Sequence, residues 1–315
     1  MAPPDHLVLP EHFRQDFEQK GYALVKSVFT PAEIDEWRRL LLLSERELSS
    51  FQTHLAPSSA SSAPVYYSSK EDLLSNPYLR DIVYDARILS IVKTLLGSND
   101  IVYTSEGSWS IHRNTHTMPM AFHKDNSDRI NGHAPDWTKP FHLLRVGIYL
   151  QDHTHHSGGL TVFEGSHSQA SIKNGRVITE WGKRVYLKTE PGDVVIWYLK
   201  TSHAGDWGIP KIGLLNALPL KVLRKLHRFE FLFKPQPELR AALFMSYGIN
   251  SSSTERYKQY LRTRKWSFDM AQNSNFDPAL AQRLKQERNL EVFNIKEIMK
   301  GVKPEEVGNH REIPF

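Results

Sequence analysis

PGDVVIWYLKTSHAGDW, residues Pro191–Trp207, decides the fold. It opens on Pro-Gly-Asp, a turn-forming tripeptide. VVIWYL follows, an apolar run of strand length that ends just before His203. Similar short, β-prone runs fill the chain from Ile101 onward: IVYT, SWSI, LLRVGIYL, GLTVFEG, RVYLKT, FEFLF and AALFMSYG. Gly, Asn, His and Pro punctuate them. Many short strands of this kind predict an all-β sandwich or barrel.

Helical patterns flank this β region. Glu11–Gly21 reads as a short helix closed by its glycine, and Tyr22–Val25 as a strand. Thr30-Pro31-Ala32-Glu33 carries a helix start, with Thr as cap, Pro in the first helical position and Glu two residues on. Ser49–Ser62, rich in Ser and Ala without a period, reads as a loop. Asp81–Leu96 has helical apolar spacing, and Gly97 is its expected C-cap. Glu255–Lys265, Pro278–Arg288 and Asn294–Met299 read as helices. The layout expected is one domain, residues 1–315. Residues 1–100 form an N-terminal helical part, 101–250 a β core, and 251–315 the C-terminal helices.

Composition narrows the function. The 315 residues have a hydrophobic fraction of 40%, a charged fraction of 24% and a formal net charge of +5. Those fractions are ordinary for a globular chain. The basic residues are spread out, and no nucleic-acid-binding module is recognisable, so no nucleic-acid partner is expected. There is no cysteine, which excludes disulfides, thiolate metal sites and cysteine nucleophiles. The N-terminus lacks a secretory pattern, and no apolar run reaches membrane-spanning length. The expectation is a cytoplasmic protein with no membrane partner.

The chemistry is carried by three segments. His123 and Asp125 in FHKD point the same way if the backbone is extended. His203 follows VVIWYL on what should be another strand. Two histidines and one carboxylate are the facial triad of non-haem iron oxygenases, which leaves coordination positions open for cosubstrate and oxygen. With 15 histidines in the chain, an HxD pair alone is weak. Arg240 adds weight, because a guanidinium opening the apolar strand LRAALFMSYG needs an anionic partner. A dicarboxylate or a protein carboxylate would serve. SGGLTVFEGSH, Ser157–His167, is a strand framed by glycine turns, and His167 reads as structural.

Taken in order, the GY strand, the TPAE helix, ILSIVKTLLGSND, FHKD, SGGLTVFEGSH, PGDVVIWYLKTSH and LRAALFMSYG resemble the phytanoyl-CoA dioxygenase-like family of Fe(II)/2-oxoglutarate oxygenases. The resemblance runs over roughly residues 17–250. It implies a mainly β fold with flanking helices around a double-stranded β-helix (jelly-roll, cupin-like) core. It implies Fe(II) on His123, Asp125 and His203, with 2-oxoglutarate and O2 as cosubstrates and Arg240 holding the far carboxylate of 2-oxoglutarate. The interval from His203 to Arg240 is longer than the family's. Gly208–Gln236 reads as an insertion, with a lid over the substrate as one role for it, and Arg228 is the alternative arginine. Asp125 itself argues against the related halogenases, which carry a small residue at that position.

The resemblance implies hydroxylation or another oxidation of an unactivated C–H bond, with desaturation and ring chemistry open. Trp109, Arg145 and Trp207 are the expected substrate contacts. Regular strand geometry puts Trp109 and Arg113 on one face and His112 on the other. The polar texture around them suggests a small polar metabolite, such as one in natural-product biosynthesis, with an acyl or lipid substrate as the alternative. Two other classes stay open: a cupin-like hydrolase or isomerase with zinc or manganese on the same ligands, and a non-catalytic binding protein that keeps the fold.

Overall fold

The alternation in the apolar runs becomes a sheet with two different faces. The computed structural model describes residues 9–47, 51–55, 65–113, 122–127, 131–173, 176–205, 208–226 and 228–308. Its strands are β1 Tyr22–Val25, β2 Phe51–Leu55, β3 Val65–Ser69, β4 Ile101–Tyr103, β5 Ser108–Arg113, β6 Leu143–Tyr149, β7 Thr161–Glu164, β8 Ile172–Lys173, β9 Arg176–Val177, β10 Lys183–Tyr186, β11 Val194–Tyr198, β12 His203–Ala204, β13 Leu239–Gly248 and β14 Leu290–Val292. The helices are α1 Phe13–Lys20, α2 Pro31–Glu47, α3 Ala86–Leu96, α4 Pro135–Thr138, α5 Leu220–Leu226, α6 Ser252–Leu261, α7 Lys265–Asn273, α8 Pro278–Arg288 and α9 Ile295–Met299.

The large sheet runs β1-β11-β6-β13-β5-β3-β2, with β4 on β13 and β14 parallel to β4. A smaller antiparallel sheet runs β10-β7-β12, and β8 and β9 form a hairpin. Along β6, Leu144, Val146 and Ile148 face one way; along β13, so do Ala241, Leu243, Met245 and Tyr247. They pack with Phe17 of α1, Ile34 and Leu41 of α2, Ile88, Ile91 and Val92 of α3, and Leu280 and Leu284 of α8. The opposite residues, Tyr149, Val195, Trp197 and Ala242, pack against Leu160 and Val162 at the small sheet. Period-two side-chain alternation thus gives one sheet a helix-covered face and a face turned to the second sheet.

Local signals explain the element ends. Gly21 closes α1 at φ +83°, and its amide bonds the Phe17 carbonyl. At α2 the Glu33 amide donates to Thr30 Oγ1 and the Thr30 amide to Glu33 Oε2 at 2.8 Å, a reciprocal capping box. The helix expected over Asp81–Leu96 is instead a 3₁₀ turn, Arg80–Tyr84, followed by α3. Asp85 divides them, because its carboxylate caps the Arg87 amide at 2.9 Å.

Three expectations are corrected. The loop read at Ser49–Ser62 contains β2, which pairs with β3, the next strand in the chain; residues 49–50 and 56–62 of that stretch lie outside the described residues. FEFLF is not a strand: Glu230–Leu232 is a 3₁₀ turn in which Phe231 is exposed. Glu255–Lys265 is split between α6 and α7. The segment 208–236 adopts two 3₁₀ turns and α5, whose Leu220 and Leu223 cover Phe122, Phe163 and Ala204. It packs on the outer face of the small sheet. Among the described residues, none of it lines the central cavity.

Candidate metal centre

His123 and His203 are brought together by the backbone. The His123 amide donates to the His203 carbonyl at 3.0 Å, and the His203 amide returns the bond at 2.9 Å. This bridge extends the small sheet beyond β12. The Asp125 amide bonds the Leu199 carbonyl at 2.7 Å, just past β11. Lys124 points away between the two candidate ligands, as alternation requires. Its buried Nζ donates to the carbonyls of Ser166 at 2.7 Å and Lys200 at 2.9 Å, over the Trp137 ring. Burial, then the Lys200 charge, push its pKa down to about 7. The His-Lys-Asp segment is therefore fixed from both sides.

The three candidate ligand groups converge. Each of His123, Asp125 and His203 offers one ligand atom within 4.8 Å of the others. Asp125 Oδ1 lies 3.6 Å from His123 Nε2, and Oδ2 lies 3.4 Å from His203 Nε2. Those separations are longer than good hydrogen bonds and suit donors arranged around a shared centre. His203 Nδ1 lies 3.0 Å from the Thr201 carbonyl. Assigning the proton to Nδ1 leaves the Nε2 lone pair facing Asp125. Burial disfavours the Asp125 carboxylate, but Arg145, His203 and His123 outweigh it and hold its carboxyl well below the usual range. Two imidazole nitrogens and an ionised carboxylate, with no thiolate, form a donor set that fits Fe(II).

The centre opens on a cavity of about 640 Å³. One end carries Arg240, in register with His112 across β13 and β5. Arg240 is buried; its Nε donates to the Gly158 carbonyl and its Nη1 lies 3.0 Å from His112 Nε2. Glycine makes room for it: a Cβ at Gly205 would sit 3.1 Å from Arg240 Nη2, and one at Gly158, where φ is +95°, 3.1 Å from its Cδ. Burial, then the Arg240 charge, lower the His112 pKa to about 2, so this ring stays neutral. Ser110 Oγ, beside them in the lining, is buried with no partner among the described residues. A cation, a neutral imidazole and an unsatisfied hydroxyl suit an acid cosubstrate. The other end is walled by Lys70 beyond β3, Tyr260 of α6, and Trp266 and Met270 of α7.

The expected substrate contacts fare differently. Arg145 lines the cavity but is already engaged, 3.1 Å from Glu106 Oε2 and 3.6 Å from Asp125 Oδ2. Trp109 is a correction. It lies in the helix-covered core at 1% exposure, because it shares the β5 face of Ile111, while Ser110 and His112 take the cavity face. The alternation placing Arg113 with Trp109 agrees with the Arg113–Glu45 ion pair on α2. Trp207 lies outside the described residues. Arg228, the alternative arginine, is exposed with its guanidinium over Phe229. His167 is away from the metal centre, bonded to the Glu18 carbonyl and stacked on Tyr198. Glu106, Tyr257, Tyr260 and Trp266 had no sequence signal; a lone acid between short strands and aromatics on amphipathic helices look ordinary.

Fold and site together define a metal-dependent oxygenase class. The model of the phytanoyl-CoA dioxygenase (PhyH) family matches residues 17–206, and the chain belongs to that family, whose enzymes use iron, 2-oxoglutarate and O2. The match takes in His123, Asp125 and His203 and stops short of Arg240 and the C-terminal helices. A curated relative, dioxygenase lolE1 of Epichloe uncinata, is 26% identical over 133 residues, 41% of this chain and 48% of the relative. The chain thus matches about half the length of that relative. Among solved structures, the 2-oxoglutarate-dependent epimerase SnoN from nogalamycin biosynthesis aligns at TM-score 0.51 and 19% identity, over 76% of this chain and 82% of its own. HygX from Streptomyces hygroscopicus, solved with nickel, 2-oxoglutarate and hygromycin B, aligns at TM-score 0.52 and 15% identity, over 77% and 88%. These two likenesses show the shared fold. Among the described residues, no helix is long and apolar enough to cross a membrane.

Proposed function

We propose that this chain is an Fe(II)- and 2-oxoglutarate-dependent dioxygenase that hydroxylates or otherwise oxidises an unactivated C–H bond of a small polar metabolite, in natural-product biosynthesis. The carrying observation is the convergence of His123, Asp125 and His203 on a cavity that also holds Arg240. In this reading His123 Nε2, the Asp125 carboxylate and His203 Nε2 hold the metal. Iron bound there would supply activation of O2, with 2-oxoglutarate as the co-reductant.

The chain's own residues bind and orient. Arg240 receives the far carboxylate of 2-oxoglutarate in a charge-assisted pair, with Ser110 beside it. His112 accepts from Arg240 and, neutral, fixes the guanidinium without competing for its charge. Trp197, Phe244 and Leu160 line the cavity between the ends and exclude water. Lys70, Tyr260, Trp266 and Met270 form the substrate end, polar on one side and aromatic on the other. That wall supports a polar molecule with an apolar ring face over a bare acyl chain. The names of SnoN and HygX, tied to nogalamycin and hygromycin B, support the same substrate class. We read the two sheets as the halves of a jelly roll, residues 1–315 as one domain, and the cytoplasm as its place of action.

The test is succinate release from 2-oxoglutarate under O2, with Fe(II), across a panel of small metabolites. The reading expects substrate-stimulated succinate from the wild type and none from His203→Ala. Equal succinate from both would overturn it.

A further inference from the structure

Arg145 is held between two carboxylates. Asp125 Oδ2 lies 3.6 Å from its Nε and Glu106 Oε2 3.1 Å from its Nη2. Glu106 is 3% exposed and sits in the turn between β4 and β5. Its two carboxylate oxygens accept from the Tyr257 hydroxyl at 2.9 Å each, and Oε1 also accepts from Thr104 Oγ1 at 3.0 Å. Tyr257 is fully buried on α6, beyond the part of the chain matched by the family model. The contacts form one line: α6, Tyr257, Glu106, Arg145, Asp125.

We propose that Glu106, Arg145 and Tyr257 are positioning residues for the Asp125 carboxylate, so that a C-terminal helix sets the metal affinity of the centre. This rests on the reading of His123, Asp125 and His203 as the metal site. A carboxylate ligand can rotate about its side-chain torsions, and the Arg145 guanidinium, 3.6 Å away and beyond hydrogen-bond range, draws it to one side by charge. Arg145 is itself long and flexible, so it needs an anchor, and Glu106 supplies one. Glu106 in turn is a buried charge that must be paired and hydrogen-bonded, and Tyr257 with Thr104 meets that requirement. With both acids ionised, two carboxylates and one guanidinium leave a net negative cluster, which attracts a divalent cation. Arg145 is then a support for the metal site rather than the substrate contact expected from the sequence.

The test is calorimetric titration of Mn(II) into the full-length apoprotein, which needs neither turnover nor a known substrate. The variants are Tyr257→Phe, which removes one hydroxyl, and Glu106→Gln, which keeps the shape and removes the charge. Changes to the partners of metal ligands cost about 10–100-fold in metal affinity. Both variants should lose affinity in that range while remaining folded at the titration temperature, with Glu106→Gln melting lower because Arg145 loses a buried ionic partner. 2-Oxoglutarate affinity, measured at saturating Mn(II), should stay within twofold, because Arg240 is untouched. Glu106→Gln is expected to be the more severe, and Arg145→Lys to recover only part of what Arg145→Met loses. Folded variants that bind Mn(II) within twofold of wild type would overturn the proposal. A wild type that fails to bind Mn(II) would sink the metal-site reading, and this proposal with it.

Discussion

At the scale of single residues, the site depends on side chains whose partners were fixed by strand alternation. His112 and Arg240 meet because their strands are in register, and Gly158 and Gly205 leave the guanidinium its space. Replacing Arg240 by Met should weaken 2-oxoglutarate binding about 10–100-fold, since a charge-assisted hydrogen bond contributes about 1.5–3 kcal/mol. Metal affinity should be unchanged. Equilibrium dialysis with labelled 2-oxoglutarate reads the first, and Mn(II) titration the second. Gly205→Val should give a milder loss by pushing Arg240 aside. The HxD pair, the third histidine and Arg240 were singled out in the sequence, and the fold brings the first three together and buries Arg240 at the same cavity. The partners of Arg145 were not legible, because Glu106, Asp125 and Tyr257 come from separate segments that only the fold brings together.

At the scale of elements, helix ends and apolar strands were the readable parts. The capping box at Thr30 and Glu33, the αL glycines after α1 and α3, and α8 over Pro278–Arg288 follow from local signals. Thr30→Ala should cost about 1 kcal/mol, read as a lower urea midpoint with an unchanged slope. What was not legible lacks a distinctive local pattern. β2 exists by pairing with β3, and FEFLF has a strand's composition but folds as a turn on the insertion. Leu220 and Leu223 of α5 pack on the apolar outer face of the small sheet. The cavity is walled in part by α6 and α7, which carry no recognisable motif.

At the scale of the whole molecule, the buried neutral histidines set an acid limit. Burial first, and the nearby Lys200 and Lys124 charges, lower the His167 pKa to about 4; the Glu18 carbonyl opposes this only in part. Burial, with Arg240, lowers His153 to about 3. Both pKa values are depressed below an unfolded value of about 6.5, so the folded state resists the proton. Their contribution is complete above pH 6.5 and is lost as pH falls from there through the folded values. His167 alone should account for about 3 kcal/mol of that loss, as an order of magnitude. Urea unfolding across this range should show His167→Gln with a flatter pH dependence than wild type; parallel curves would contradict it. The β-rich stretch from Ile101 and the helices around it were readable from composition and periodicity, whereas the entry of β1, β2, β3 and β14 from the expected helical parts into the large sheet, and the order of its strands, were not. The central claim is that His123, Asp125 and His203 hold iron beside a 2-oxoglutarate site. Its most direct test is anaerobic titration of Fe(II) and 2-oxoglutarate into the apoprotein, followed by visible absorption. The account predicts a weak metal-to-ligand charge-transfer band that is lost in His203→Ala and in Asp125→Ala. No band with iron fully loaded, or the same band in those variants, would contradict it.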